Sequence, residues 1–119
     1  GLPDIGAYEY QPISTSTPTP TPKVSTIPIA PSGLSAVIVY SGKENLTWTD
    51  NASNETGFRI ERCAGATCTN FSGVNSTRAN VTSYYNTDVS KNTTYRYRVR
   101  AYNTAGISAY SNIATAKTP

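Results

Sequence analysis

Few residues in this 119-residue chain could do acid, base or nucleophilic chemistry. The chain contains no histidine, which excludes a Ser-His-Asp or Cys-His arrangement. Its seven carboxylates are scattered, and only Asp50 and Glu55 lie close together within one predicted loop. Because catalysis needs a poised acid, base, nucleophile or metal in one cavity, we expect no catalytic residues and no enzymatic activity.

The stretch "DNASNE", residues 50–55, is the best candidate for metal binding, since calcium prefers carboxylate and carbonyl oxygens. It lacks the glycine and the density of carboxylates that a calcium loop carries. The alternative is a turn between two strands, for which Asn, Asp and Ser are well suited. We favour the turn, and we expect no metal and no cofactor.

Two cysteines, Cys63 and Cys68, bracket the sequence "AGAT". Four intervening residues are too many for a C-x-x-C redox motif, and two cysteines are too few for a structural zinc site. A disulfide that closes a hairpin remains, and it would indicate an oxidising compartment. Its short loop places the expected stabilisation at the low end of the usual range of about 2–4 kcal/mol.

The combination N-x-S/T is unusually frequent, because it occurs at seven of the ten asparagines. Ser and Thr make up about a quarter of the chain, so chance would give roughly two or three matches. The seven sites are Asn45, Asn51, Asn54, Asn70, Asn75, Asn80 and Asn92. We expect glycan first at Asn51, Asn54 and Asn92 in predicted turns, whereas Asn45 and Asn80 fall on predicted strands. Alternatively, Asn and Thr are simply common in turns and strands.

The composition changes near Ile29, where a folded domain is predicted to begin after an N-terminal region of two parts. Residues 14–28 are rich in Ser, Thr and Pro, and proline both removes backbone donors and holds the preceding residue extended. We therefore predict an extended arm over residues 1–13, a tether over 14–28 and a folded domain over 29–119. An extended segment of this composition needs contacts from elsewhere to be ordered.

Short runs of alternating hydrophobic and polar residues follow, separated by turn residues. They lie at 33–40, 44–49, 58–63, 80–86, 93–103 and 108–118. This pattern predicts an all-β, antiparallel sandwich of about seven strands without helices. The predicted core consists of Leu34, Leu46, Trp48, Phe58, Ile60, Tyr95, Tyr97 and Val99.

Arg96, Arg98 and Arg100 alternate with core positions and therefore fall on the outer face of one strand. They could form a stripe that binds acidic or sulfated glycans. They could instead form a solvated sheet face, and we favour this second interpretation. The net charge of +3 is spread along the chain, and no apolar run could span a bilayer, so we expect neither nucleic acid nor membrane insertion.

The order of these motifs resembles the fibronectin type III module over about residues 29–119. The likeness is carried by "GLSA", "NLTWTDNASNETGFRIER", "YRYRVRAYN" and the closing G-x-S-x-Y-S-N. The sequence resembles most the variety of this module that is common on microbial surface proteins and as an accessory to secreted carbohydrate-active enzymes. The resemblance implies a seven-stranded sandwich in which Tyr95 is the tyrosine corner, with its hydroxyl bonded to a nearby backbone group. In the strand order of that module the arginine strand lies beside "FRIER", which implies that Arg59 and Glu61 pair across the strands with the arginines.

A second resemblance concerns "GLPDIGAYEYQP", residues 1–12, which is similar to the closing segment of right-handed parallel β-helix surface proteins. It implies that the chain is part of a longer, extracellular precursor. The body of the β-helix is not in this sequence, so its chemistry is not carried over.

Two functions follow from these observations. The first is an extracellular, glycosylated structural subunit that assembles head-to-tail with other copies of itself into a filament. In that hypothesis an arm carrying Ile5, Tyr8, Tyr10 and Ile13 packs against a sheet edge or groove of the next copy. The alternative is an accessory, spacer or carbohydrate-binding module of a larger secreted β-helix or carbohydrate-active protein, with glycans as partners.

Overall fold

The computed structural model describes residues 26–39 and 43–119, which form eight strands. The strands are β1 (Ser32–Val39), β2 (Lys43–Thr49), β3 (Gly57–Ala64), β4 (Ser72–Arg78), β5 (Ser83–Asn86), β6 (Thr94–Asn103), β7 (Gly106–Ile107) and β8 (Ala114–Lys117). Within these ranges no helix is long and apolar enough to cross a membrane.

Two antiparallel sheets face each other. The smaller has the order β1-β2-β5, and the larger has the order β4-β3-β6-β7, with β8 pairing with β6 as well. In the larger sheet β3 and β6 run in register over eight residue pairs, from Gly57 opposite Tyr102 to Ala64 opposite Tyr95. The predicted all-β antiparallel sandwich is confirmed.

Side chains from both sheets fill the space between them. All eight predicted core residues are buried, and Ala101 and Ala114 join them. Trp48 of the smaller sheet meets Phe58 of the larger one edge-to-face, with ring centroids 5.5 Å apart. The hydroxyl of Tyr95 accepts a hydrogen bond of 2.8 Å from the amide of Ser90, as the tyrosine corner requires.

The described residues form eight strands instead of the expected seven, because β4 and the two-residue β7 are not among the predicted runs. The predicted run 108–118 contains only the short strand β8. Between β7 and β8, residues 108–113 form no strand, and regular pairing with β6 resumes only at β8. Over the gap two serine hydroxyls replace backbone carbonyls as acceptors: Ser108 accepts from the amide of Ala101 at 2.8 Å, and Ser111 accepts from the amide of Val99 at 3.0 Å. The segment thus stays attached to β6 without being a strand.

The predicted run 80–86 is also corrected at its start, since β5 begins only at Ser83. Asn80 has a φ of 67°, which is left-handed backbone that a strand does not contain. The preceding strand β4 was missed, because "SGVNSTR" is polar and mostly exposed on both faces. Asn80 therefore lies in the turn between β4 and β5 instead of on a strand.

Candidate functional site

The disulfide joins the end of β3 to the connection before β4. Cys63 and Cys68 are bonded, with their Cα atoms 6.0 Å apart, which confirms the predicted pairing. Cys63 lies opposite Arg96 in the register of β3 and β6. The guanidinium of Arg96 donates a hydrogen bond to the carbonyl oxygen of Cys68, so the disulfide loop is tied to β6 as well.

The outer face of the larger sheet carries a ladder of stacked cations and aromatic rings. The guanidinium of Arg98 lies between two rings, 4.2 Å from the centroid of Phe71 and 3.7 Å from that of Tyr110. Arg100 stacks on the same Tyr110 ring at 4.6 Å. Planar guanidinium groups favour such stacking on aromatic rings.

Glu61 neutralises part of this charge from the neighbouring strand β3. Its carboxylate oxygens lie 2.8 Å from Arg98 and 3.3 Å from Arg100, and it accepts a hydrogen bond of 3.1 Å from the hydroxyl of Tyr110. The expected pairing of the arginine stripe with Glu61 is therefore present. Phe71 and Tyr110 were missed as partners, because neither lies on the same strand as the arginines.

A shallow groove of about 370 Å³ opens beside the ladder, between β3, β4 and β6. It is lined by Arg59, Ile60, Glu61, Gly73, Val74, Asn75, Ser76 and Arg100. The Nε atom of Arg100 is buried there and has no hydrogen-bond partner among the described residues. An open, mostly polar depression of this kind differs from the enclosed, mostly apolar pockets that small-molecule ligands usually occupy.

The two neighbouring carboxylates of the β2–β3 loop behave as a pair. Burial and the hydrogen bond with Glu55 raise the pKa of Asp50, whose Oδ1 accepts from the amide of Ala52 at 3.0 Å. Against the effect of burial, the pKa of Glu55 is lowered, because the hydrogen bonds from Asp50 and from the backbone amide of Asn80, the latter at 2.9 Å, outweigh that effect. Among the described residues, no group of three or more His, Cys, Asp or Glu side chains could hold a metal ion.

Glu44 is a carboxyl group buried between the sheets. It accepts a hydrogen bond from the hydroxyl of Tyr97. That hydroxyl in turn accepts a hydrogen bond of 2.8 Å from the side-chain amide of Asn86. The second oxygen of Glu44, Oε2, is buried without a partner in the described part of the chain. Burial raises the pKa of Glu44 above its ordinary 4.5, against the opposing effects of Tyr97 and the charge of Arg62.

This buried acid should make the stability of the domain depend on pH. The pKa of Glu44 is higher in the folded chain than in the unfolded chain. At pH values between these two pKa values, the folded chain therefore holds a proton that the unfolded chain has lost. The stabilisation is complete below pH 4.5 and is lost as the pH rises from there through the folded-state pKa. We expect Glu44→Gln to remove this dependence, measured as the difference in unfolding free energy from the wild type at several pH values. A difference that stays constant with pH would contradict the assignment.

The candidate glycosylation sites differ in what surrounds them. The side-chain amides of Asn51, Asn54 and Asn75 donate hydrogen bonds to other parts of the domain. Asn92 lies in a turn with a φ of 51° and is exposed, like Asn80. Nothing in the geometry shows a glycan at any of them, so glycosylation stays a prediction.

Two further asparagines complete the set. Asn70 is exposed in the connection between β3 and β4, and Asn45 is partly exposed on β2. The predicted assembly residues Ile5, Tyr8, Tyr10 and Ile13 lie outside the described residues. Assembly through the arm therefore also stays a prediction.

These observations define a class of protein: a two-sheet antiparallel sandwich closed by a tyrosine corner, which is an immunoglobulin-like β module. A family model, "Fibronectin type III domain", matches residues 29–117. The chain belongs to this family.

Similar proteins come from several settings. The chain is 35% identical over 96 residues to a protein named "Alpha-amylase" from Niallia circulans, and this match covers 77% of the chain but only 7% of the amylase. A solved structure of titin domains A168–A170 is 31% identical, with a TM-score of 0.66, over 77% of this chain and 32% of that one. A Fn3-like protein from Clostridium thermocellum is 28% identical, with a TM-score of 0.66, over 79% of this chain and 96% of that one.

Proposed function

We propose that this chain is a non-catalytic spacer module of a larger, secreted, carbohydrate-active protein. The observation that carries the proposal is the 35% identity to a short part of an amylase, since the matched region is only 7% of that protein. A module that occupies so small a part of an enzyme is suited to joining or positioning larger domains.

Two features of the domain support this role. The disulfide between Cys63 and Cys68 fits an oxidising, extracellular compartment. On the larger sheet the guanidiniums of Arg98 and Arg100 are already occupied by Glu61, Phe71 and Tyr110, so they are poorly placed to bind an external ligand. The head-to-tail filament depends on residues 1–13 and remains the alternative.

The proposal is tested in the longer protein that carries this chain. Deleting residues 29–117 should lower activity on an insoluble polysaccharide and leave activity on a soluble oligosaccharide unchanged. Replacing them with the Clostridium thermocellum Fn3-like domain, which has the same fold at 28% identity, should restore the lost activity. A spacer is replaceable in this way, whereas a binding site is not.

The isolated chain supplies the complementary measurement. We expect it to release no sugar from starch and to pass unretained over insoluble starch, cellulose and chitin. Retention that is lost on Arg59→Ala would instead identify the groove beside β4 as a carbohydrate-binding site. Failure of the domain replacement together with such retention would overturn the spacer function.

A further inference from the structure

The residues just before β1 are attached to one end of the sandwich by three asparagine side chains. Asn51 and Asn54 belong to the β2–β3 loop, and Asn103 ends β6. We call these three residues the amide clamp. They hold the segment Thr26–Pro31, which links the domain to the chain that precedes it.

The far end of the segment is held at one carbonyl group. The oxygen of Thr26 accepts two hydrogen bonds of 2.9 Å, one from the side-chain amide of Asn54 and one from that of Asn103. Asn103 also donates to the backbone oxygen of Asn54 at 3.2 Å, which joins the two clamp residues to each other. A single carbonyl with two donors satisfies both of its lone pairs.

The near end is held by Asn51. Its side-chain amide donates to the carbonyl oxygen of Ala30 at 3.0 Å and to the hydroxyl of Ser32 at 2.9 Å. Pro28 and Pro31 are buried between these anchoring points. Proline has no backbone N–H, so Pro28 and Pro31 donate no hydrogen bond to the domain. The segment is held instead through the carbonyl oxygens of Thr26 and Ala30, to which the asparagine amides donate.

Glycine at position 106 is part of the same arrangement. A Cβ atom placed there would lie 2.9 Å from Cγ2 of Ile27, and the glycine φ is 151°. The first residue of β7 therefore leaves room for Ile27 to lie against it. The fit involves the β2–β3 loop, the start of β7 and the segment together.

We propose that the amide clamp fixes the direction in which the preceding chain leaves the domain. This inference rests on the proposed spacer function and adds to it: the module would set an angle between its neighbours as well as a distance. A free hexapeptide linker would have to be ordered at an entropic cost, and the clamp bonds oppose that cost. A segment held at both ends behaves as part of the domain.

The clamp also assigns a role to two of the seven N-x-S/T sites. Both hydrogens of the Asn51 amide are committed, and the Asn54 amide faces both the carbonyl and, at 3.4 Å, the hydroxyl of Thr26. A glycan replaces one hydrogen of the side-chain amide and occupies its direction. Asn51 and Asn54 are therefore clamp residues, and a glycan on either would displace the segment.

The test compares variants of the full chain by ¹⁵N{¹H} heteronuclear NOE at the amides of Thr26, Ile27, Ile29 and Ala30. In the wild type these values should equal those of β2 and β6. In Asn51→Ala/Asn54→Ala/Asn103→Asp they should fall to values typical of fast motion, while the strand values stay unchanged. Aspartate is used at position 103 because the Oδ1 of Asn103 also accepts from the amides of Ala105 and Gly106, and aspartate keeps that acceptor while it removes the donor to Thr26.

A matched control separates the amides from the glycosylation motif. Ser53→Ala/Thr56→Ala destroys both N-x-S/T sequences but leaves both asparagine amides, so the segment should stay ordered. Asn70→Ala removes an exposed asparagine elsewhere and should also change nothing. The single variant Asn51→Ala should release Ala30 more than Thr26, which Asn54 and Asn103 still hold.

Two results would overturn the inference. One is a segment that is already mobile in the wild type or stays ordered in the triple variant. The other is a glycan detected by peptide mass spectrometry on Asn51 or Asn54 of folded protein. Neither result bears on the domain-replacement experiment, so the spacer function and the clamp can fail separately.

Discussion

Replacing Trp48 by alanine should lower the free energy of unfolding by about 3–5 kcal/mol, which is a large part of the stability of a small domain. Trp48 is only 5% exposed and joins the two sheets through its contact with Phe58. Alanine would leave a cavity at this junction, because the facing strands cannot collapse into it without breaking their register. The loss combines the transfer free energy of the ring with the cost of that cavity.

Urea denaturation followed by circular dichroism measures this loss. Tyr85→Ala is the matched control, because Tyr85 is an aromatic residue of the same sheet that is 48% exposed. We expect that substitution to change the stability by no more than about 0.5 kcal/mol. A loss below about 1 kcal/mol for the Trp48 variant would mean that the ring does not join the two sheets.

Strand periodicity was enough to predict the core. In "ENLTWT" the inward positions 46 and 48 are occupied by Leu and Trp, and both are buried. The same alternation points Glu44 inward, and the structure buries it completely. A search for hydrophobic residues does not find Glu44. Its burial is stabilised by Tyr97 and Asn86, which lie close to it in space but far from it in the sequence.

The side-chain ladder could be predicted only in part. Alternation places Glu61 and the arginines on the outer face, and the strand order of the fibronectin type III module places β3 beside β6. The pairing of Glu61 with the arginine stripe was therefore accessible from the sequence. The rings that stack on Arg98 come from segments outside those two strands. Where an irregular segment lies is decided by tertiary contacts such as those of Ser108 and Ser111, and no local pattern reveals them.

The asparagines show a similar limit. Asn51, Asn54 and Asn70 share the same N-x-S/T pattern, yet the first two donate to the segment before β1 and Asn70 lies exposed in a connection. The difference arises from the fold, which brings residues 26–32 beside a loop more than 18 positions away. A motif three residues long carries no information about such a neighbour.

Two glycines on neighbouring, hydrogen-bonded strands of the larger sheet should respond in opposite ways to substitution by alanine. Gly57 begins β3, and a Cβ atom there would lie 2.0 Å from the backbone oxygen of Thr77 on β4. A backbone oxygen cannot rotate away as a side chain can, so the strands must separate or the β3–β4 pairing must break. We expect Gly57→Ala to lower the free energy of unfolding by about 3 kcal/mol, measured by urea denaturation.

Gly73→Ala is the matched control in the same pair of strands. A Cβ atom at Gly73 would have no neighbouring atom within 4 Å, and this glycine is not in the left-handed region. Alanine there restricts the unfolded chain without cost to the folded one, so stability should rise by about 0.4–1 kcal/mol. The sequence offers no means to tell the two glycines apart, since both lie in short polar or mixed runs. Equal effects at the two positions would show that backbone entropy, and not the close approach of β4 to Gly57, decides the outcome.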